Sequence, residues 1–299
     1  MKLNFDVVVI GAGPAGMTAA IYLKRAEVNV AMIDCLAPGG QMNRALKIDN
    51  YPGFTTIDGP TLALNMFQQT QELGIPYQYG QVVKIDIDND KKIVKLSNGK
   101  EIIGNNIIVA TGRKPKELGL KMEKKLIGRG ISYCVYCDGL LFKGKDVIVV
   151  GTGDTVIEEA KYLDQIANKV TIIDYNNKKK YNNLTPNLDV IHNCEIIDIY
   201  EENNKLSGVK IKDKKTTKTK IIKAEGLFIN IGFTPISDFI NDIGIKTIKG
   251  YIIVNKKMRT NVEGIYACGD VIKKELYQVS TAVGEGAKTA YQVIQDLKQ

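Results

Sequence analysis

The sequence predicts an α/β fold of two three-layer domains, the second inserted into the first. Three observations carry this. A strand, a glycine-rich turn, a helix and a second strand closing on an acidic residue occur at residues 5–34 and again at 146–174, and Gly11 to Asp34 spans the same distance as Gly151 to Asp174. Two apolar strands end in glycine with a proline three residues on: Ile107-Ile108-Val109-Ala110-Thr111-Gly112 before Pro115, and Leu227-Phe228-Ile229-Asn230-Ile231-Gly232 before Pro235. Gly264-Ile265-Tyr266-Ala267-Cys268-Gly269-Asp270 and a small-residue helix from about Ser280 then find a place only if the chain returns to its first domain. Such repeats are dinucleotide-binding, Rossmann-like units. The expected boundaries are 1–115 with 243–299 for the first domain and 116–242 for the insert, although no Gly/Ser-rich or Pro-rich linker marks the crossings.

In the first copy the apolar run Phe5 to Ile10 reads as a strand, Gly11-Ala12-Gly13-Pro14-Ala15-Gly16 as the turn, an Ala-rich stretch to about Ala26 as a helix and Val28 to Ile33 as the next strand. The first glycine of such a turn bends the chain, the second lets backbone N–H groups approach a pyrophosphate, and the third lets the helix pack on the strand. Asp34 stands at the distance expected of an acid that holds ribose hydroxyls. In the second copy Asp146 to Val150 is the strand, Gly151-Thr152-Gly153-Asp154-Thr155-Val156 the turn, a stretch to about Ala167 the helix, and Lys169 to Ile173 the strand before Asp174. Val156 stands where a small residue is usual and is expected to push the helix away from the strand.

The chain has 299 residues, 44% hydrophobic and 25% charged, with 28 Gly and 8 Pro, a globular composition. No apolar run approaches the ~18 residues of a membrane span, and Met1 to Asp6 runs into a strand without a signal-peptide pattern, so a cytoplasmic location and no membrane partner are expected. The net charge is +8, yet the lysines are scattered and meet no nucleic-acid-binding signature. A solvated basic surface that steers an acidic protein partner is the expectation.

Of the five cysteines, Cys134 and Cys137 form a C-x-x-C pair, while Cys35, Cys194 and Cys268 stand apart and read as small buried residues. Such a pair serves zinc, a structural disulfide or redox exchange. Zinc wants further ligands, and the chain offers only His192 and isolated cysteines, so no metal is expected. A structural disulfide is at odds with a cytoplasmic enzyme.

Gly39-Gly40-Gln41-Met42, Asn50-Tyr51-Pro52-Gly53-Phe54, Gly269-Asp270 with Gln278-Val279, and Gly130-Ile131-Ser132-Tyr133-Cys134-Val135-Tyr136-Cys137-Asp138-Gly139 together resemble, in order and spacing, the motifs of bacterial low-molecular-weight thioredoxin reductases. The resemblance covers nearly the whole chain. It implies FAD bound by Gly11, Gly13, Pro14, Ala15, Asp34, Gly40, Gln41, Asn50, Val83, Thr111, Gly112, Gly269, Asp270, Gln278 and Val279. Asp270 would meet the ribityl or pyrophosphate portion, and Gln41, Asn50 and the Gln278-Val279 backbone would lie near the isoalloxazine. Ser280 or Thr281 can cap a helix carrying Gly284, Gly286 and Ala287, whose N-terminal dipole would stabilise negative charge on reduced flavin. The resemblance also implies that Cys137 faces the flavin, that Cys134 attacks a partner's disulfide, that Asp138 is the general acid, and that the enzyme is a homodimer. The expected activity is thioredoxin-disulfide reduction, from a reduced donor through FAD and the dithiol to thioredoxin or a similar small dithiol protein.

The resemblance fails at the second nucleotide site, expected to use Gly151, Gly153, Asp154, Thr155 and Asp174. Where the family carries a His-Arg-Arg run for the NADPH 2′-phosphate, this chain has Asp174-Tyr175-Asn176, with Lys180 at the last basic place. Asp174 would repel a phosphate and suits the free ribose hydroxyls of NADH. The stretch from Lys178 to Asn187 is short and broken by Thr185-Pro186, and Lys178-Lys179-Lys180 reads as a solvated turn. NADPH, NADH and a ferredoxin all stay open as donors. A flavin dithiol oxidase and a relative that serves a peroxidase partner stay open as alternative activities, whereas a non-catalytic flavin-binding protein is at odds with an intact Cys134, Cys137 and Asp138.

Overall fold

A computed structural model of the chain describes residues 3–45, 47–175 and 185–298. The chain begins with β1 (Leu3–Ile10), α1 (Pro14–Arg25), β2 (Val30–Asp34), α2 (Gly59–Glu72), β3 (Tyr77–Tyr79), β4 (Val82–Asp88), β5 (Lys91–Leu96), β6 (Glu101–Val109) and β7 (Arg113–Pro115). It continues through α3 (Glu123–Leu126), β8 (Ile131–Ser132), α4 (Val135–Asp138), β9 (Asp146–Gly151), α5 (Asp154–Asp164), β10 (Lys169–Asp174) and β11 (Leu188–His192). Then come β12 (Cys194–Glu202), β13 (Lys205–Asp213), β14 (Thr219–Lys223), β15 (Gly226–Asn230) and β16 (Phe233–Pro235), which pairs with β7. It ends with β17 (Thr247–Ile248), β18 (Tyr251–Ile252), β19 (Ile265–Ala267) and α6 (Val279–Asp296).

The first unit comprises Met1–Asn43, Ile48–Lys114 and Thr234–Gln299, and the second Arg44–Lys47 and Pro115–Phe233. The return falls at Thr234, at the start of the 234–244 stretch in which the sequence places this crossing. Its cause is local: Ile236 N–H donates to the Gly112 carbonyl and Thr111 Oγ1 donates to the Ile236 carbonyl, stitching the returning chain to the end of β6.

In the first unit β1 is central, parallel to β2 and to β6, with Val7, Val8 and Val9 fully buried. A parallel strand covered on both faces reads as a continuous apolar run, which is why the sequence reveals it. β19 pairs in parallel with the carboxyl half of β6, so the ends of β1, β2, β6 and β19 collect where parallel sheets bind their ligands. A Cβ on Gly16 would fall on the Gly11 carbonyl oxygen, and one on Gly286 would fall on the Ala15 carbonyl oxygen. These glycines let α1 sit on its own turn and α6 pack on the start of α1. The hairpin of β4 and β5, antiparallel to each other and joined antiparallel to β6, is an extension that the sequence reading does not predict.

The second unit holds a five-stranded parallel sheet in the order β11-β10-β9-β15-β8. Period-two alternation divides its core. Val147, Val149, Val170 and Ile172 pack with Val156, Ala160 and Leu163 of α5. Ile148, Val150, Leu227 and Ile229 pack with Ile196, Ile199 and Val209 of the antiparallel sheet β12-β13-β14, which is likewise not predicted. Val156 is fully buried without a side-chain clash because Gly151 gives it room: a Cβ at Gly151 would stand 2.7 Å from Val156 Cγ2. Among the described residues no helix is long and apolar enough to cross a membrane.

Candidate active site

The first site is built where the strands of the first unit end. Asp34 closes β2 and folds back on the glycine turn, its Oδ2 accepting the Ala12 N–H at 2.7 Å and its Oδ1 the Leu36 N–H at 3.0 Å. Gly39 N–H donates to the Ala12 carbonyl at 2.7 Å, which brings Gly40 beside Gly13. Pro14 opens α1 directly after Gly13, and Ala15 is buried behind it. A Cβ at Gly13 or at Gly112 would meet nothing within 4 Å, so both turns face open space.

Gln41 Nε2 donates to the Arg113 carbonyl at 3.1 Å, and Asn50 Nδ2 to Gln278 Oε1 at 3.2 Å. Gln278, not Ser280 or Thr281, occupies the N-cap of α6, and its N–H donates to Thr281 Oγ1 at 3.1 Å. The helix can start this early because Thr281, at the third helical position, closes the capping box from inside. Val279 is therefore its first residue. Val83 lies 48% exposed on β4.

Asp270 Oδ1 lies 3.1 Å from Lys274 Nζ and its Oδ2 lies 3.7 Å from Arg113 Nε. Glu285 Oε2 holds Lys274 Nζ at 2.8 Å and the Gly269 N–H at 2.9 Å. The Arg113 guanidinium stacks 3.6 Å over the Tyr277 ring. Sequence reasoning missed Arg113, Lys274, Tyr277 and Glu285; their only signal was closeness to residues already singled out. Open glycines at a helix N-terminus, an acid closing the second strand and the Asn50–Gln278 amide pair fit a dinucleotide such as FAD.

The second site is the dithiol. Cys134 and Cys137 are joined as a disulfide at the opening of α4, their Cα atoms 5.3 Å apart. Asp138 follows, buried, with Ser132 Oγ donating to its Oδ2 at 2.6 Å. Burial pushes its carboxyl up, and the Ser132 hydrogen bond partly opposes this. Glu123, 1% exposed, accepts the N–H groups of Leu118 and Gly119 at 2.9 and 2.8 Å and the Tyr133 hydroxyl at 2.7 Å. The Tyr136 ring packs on Tyr162 of α5, with centroids 5.1 Å apart.

At the second glycine turn Gly153 has φ +102°, with open space where a Cβ would stand, and Asp154 and Thr155 are exposed in the first turn of α5. Asp174 departs from expectation. Asp34 faces its turn, but Asp174 has no exposure and its Oδ2 lies 3.4 Å from His192 Nδ1 on the neighbouring β11, because the two residues are paired in register. Lys214 reaches the same strand end from beyond β13, its Nζ donating to the Tyr175 carbonyl at 2.8 Å. Asn176 and Lys178-Lys179-Lys180 lie outside the described residues.

Cys194 and Cys268 are buried as expected, whereas Cys35 is only half-buried. All three thiols are pushed up by burial, Cys268 to about 12, so none carries the thiolate character that exchange requires.

A family model described as pyridine nucleotide-disulphide oxidoreductase matches residues 5–286. A thioredoxin reductase of Bacillus subtilis is 41% identical over 296 residues, covering 97% of this chain and 93% of its own. Among solved structures, the thioredoxin reductase from Streptococcus pyogenes superposes with a TM-score of 0.90 at 37% identity, covering 100% of this chain and 99% of that one. A ferredoxin-flavin thioredoxin reductase from Clostridium acetobutylicum gives a TM-score of 0.56 at 28% identity, covering 100% and 99%.

Proposed function

The chain belongs to the pyridine nucleotide-disulphide oxidoreductases, and from that premise we propose that it is a thioredoxin reductase, carrying electrons from a reduced donor through FAD and the Cys134/Cys137 dithiol to thioredoxin. A homodimer and a cytoplasmic location go with this reading.

FAD, when bound, supplies the two-electron carrier. Gly11, Gly13, Pro14, Ala15, Gly40, Thr111 and Gly112 would cradle its pyrophosphate and neighbouring groups, Asp34 the ribose hydroxyls, and Gly269 and Asp270 the ribityl region. Gln41, Asn50, Gln278 and Val279 would hold the ring system. Once the dithiol is reduced, Cys134 attacks one sulfur of the partner's disulfide. The other partner sulfur leaves as a thiolate and takes the proton that Asp138 holds; Cys137 then displaces the partner from Cys134 and the internal disulfide reforms. The observation that carries this reading is the buried Asp138 carboxyl directly after Cys137, in a setting that favours its protonated form.

A nicotinamide donor, NADPH or NADH, would dock at Gly151, Gly153, Asp154 and Thr155. A second reading, reduction by a ferredoxin, is favoured by the covered Asp174 and by the likeness to the clostridial ferredoxin-flavin enzyme. Anaerobic addition of NADPH, NADH and reduced ferredoxin in turn tests this. The productive donor bleaches the flavin, and oxidised thioredoxin then restores its absorbance. Cys134→Ser and Cys137→Ser variants are expected to keep their flavin and to lose thioredoxin reduction; a variant that retained it would sink the dithiol mechanism.

A further inference from the structure

The dithiol segment is tied down by one buried hydroxyl. Ser132 ends β8 and is 4% exposed. Its Oγ donates to Asp138 Oδ2 at 2.6 Å and accepts the Cys134 N–H at 3.0 Å. On the far side of the same residue, the Asp138 N–H donates to the Cys134 carbonyl at 3.2 Å. Both backbone polar groups of Cys134 are therefore engaged by the Ser132–Asp138 pair.

The Asp138 carboxyl is also asymmetric. Oδ2 is occupied by Ser132, whereas Oδ1 is buried and, among the described residues, has no hydrogen-bond partner. Placing a proton on Oδ2 would turn the Ser132 hydroxyl towards its other acceptor, the Cys134 carbonyl, at a longer 3.3 Å. Oδ1 is the oxygen that takes a proton without disturbing the knot.

We infer that Ser132 is a positioning residue for disulfide exchange: it fixes Asp138 through Oδ2, so that Oδ1 holds the proton and releases it to the departing thiolate, and it locks that carboxyl to the backbone of Cys134. This rests on the reading of Asp138 as the acid. In the step itself the Cys134 thiolate contributes the electron pair of the new S–S bond. The pair of the broken partner S–S bond leaves with the departing sulfur, which takes the Oδ1 proton. Asp138 is left as a carboxylate that keeps its Ser132 hydrogen bond, and Ser132 gives up no proton. A hydrogen bond to the ionised form stabilises it, so Ser132 makes Asp138 a readier donor than burial alone would allow.

The test uses holoenzyme reduced with stoichiometric dithionite and mixed with thioredoxin disulfide in a stopped-flow instrument across the neutral and alkaline range. Ser132→Ala should slow exchange about tenfold at neutral pH and move the alkaline limb of the profile upward, and Ser132→Thr should restore both. Slowing with an unmoved limb would reduce Ser132 to a structural part and overturn the inference. Infrared spectroscopy of the unmutated enzyme provides a check that does not depend on the Ala variant folding. The protonated carboxyl band, assigned by its loss in Asp138→Asn, should be that of a C=O accepting one hydrogen bond; a C=O accepting none overturns the inference. Asp138→Asn should abolish the limb. If the limb survives that change, the acid assignment itself has failed, an outcome distinct from failure of the Ser132 role.

Discussion

Glu123 and Asp138 are both buried acids close in sequence to Cys134, yet their surroundings assign them opposite work. Glu123 accepts three backbone N–H groups, those of Leu118, Gly119 and Leu120, and a phenol, so both its oxygens are used as acceptors, and the Tyr133 hydroxyl is pushed up by burial and then by Glu123. Asp138 meets one hydroxyl and is left with an oxygen for a proton. Glu123→Gln turns an acceptor into an NH2 that faces N–H groups. It is expected to destabilise the protein by about 2–3 kcal/mol, read by chemical denaturation, while leaving the alkaline limb of disulfide exchange where it was. Unchanged stability would mean that the carboxylate does not hold the 118–120 turn. In the sequence Glu123 is the first of Glu-Lys-Lys and looks like an ordinary surface charge; the donors that bury it come from a turn whose path no local pattern reveals.

Helices α5 and α6 each carry a residue whose meaning depends on the strand or helix beneath. On α5, Glu159 is 9% exposed and accepts from Asn230 Nδ2 of β15 at 2.7 Å. Burial pushes its carboxyl up to about 7, the Asn230 hydrogen bond opposing in part. An unfolded glutamate titrates near ~4.3, so the folded state binds the extra proton between these values. The associated stability is full below the lower value and is lost as pH rises through the upper one. Glu159→Gln, neutral throughout, should flatten that fall and leave the variant more stable than the parent in mild alkali, by on the order of 2 kcal/mol in urea unfolding. Equal pH slopes in parent and variant would contradict the assignment. On α6, Gly286→Ala would drive a methyl group into the Ala15 carbonyl at the start of α1. Overpacking of this kind costs about 1–3 kcal/mol, and because it lifts α6 from the glycine turn, FAD retention measured by absorbance after gel filtration should fall as well. Retained FAD with an unchanged melting temperature would show that the helices can give way.

At the scale of the molecule, the residues legible in the sequence are those whose place in the fold is set by backbone shape or by a short run. The paired glycine turns, the buried parallel strands around Val8 and Val149, Asp34, the dithiol and the returning α6 all belong to this class. The antiparallel strands of β4, β5 and β12 to β14 were hidden because half their residues face solvent and carry lysines and acids. The burial of Asp174 was not legible, because its neighbour His192 on β11 is brought beside it only by strand pairing. Charge is legible in total but not in place, and its consequence can be tested without knowing the place. A net charge of +8 raises the encounter rate with an acidic partner and does nothing for a neutral one. If the physiological partner is an acidic thioredoxin, its kcat/KM should fall several-fold as salt rises from ~0.02 M to ~0.3 M, because the screening length shrinks from roughly 20 Å to under about 6 Å. Reduction of hydroxyethyl disulfide, which carries no charge, should stay level over the same range and so separates steering from any effect of salt on the dithiol. Parallel losses for both substrates would place the salt effect in the enzyme's chemistry, and a flat response for thioredoxin would remove the basic surface from partner recognition.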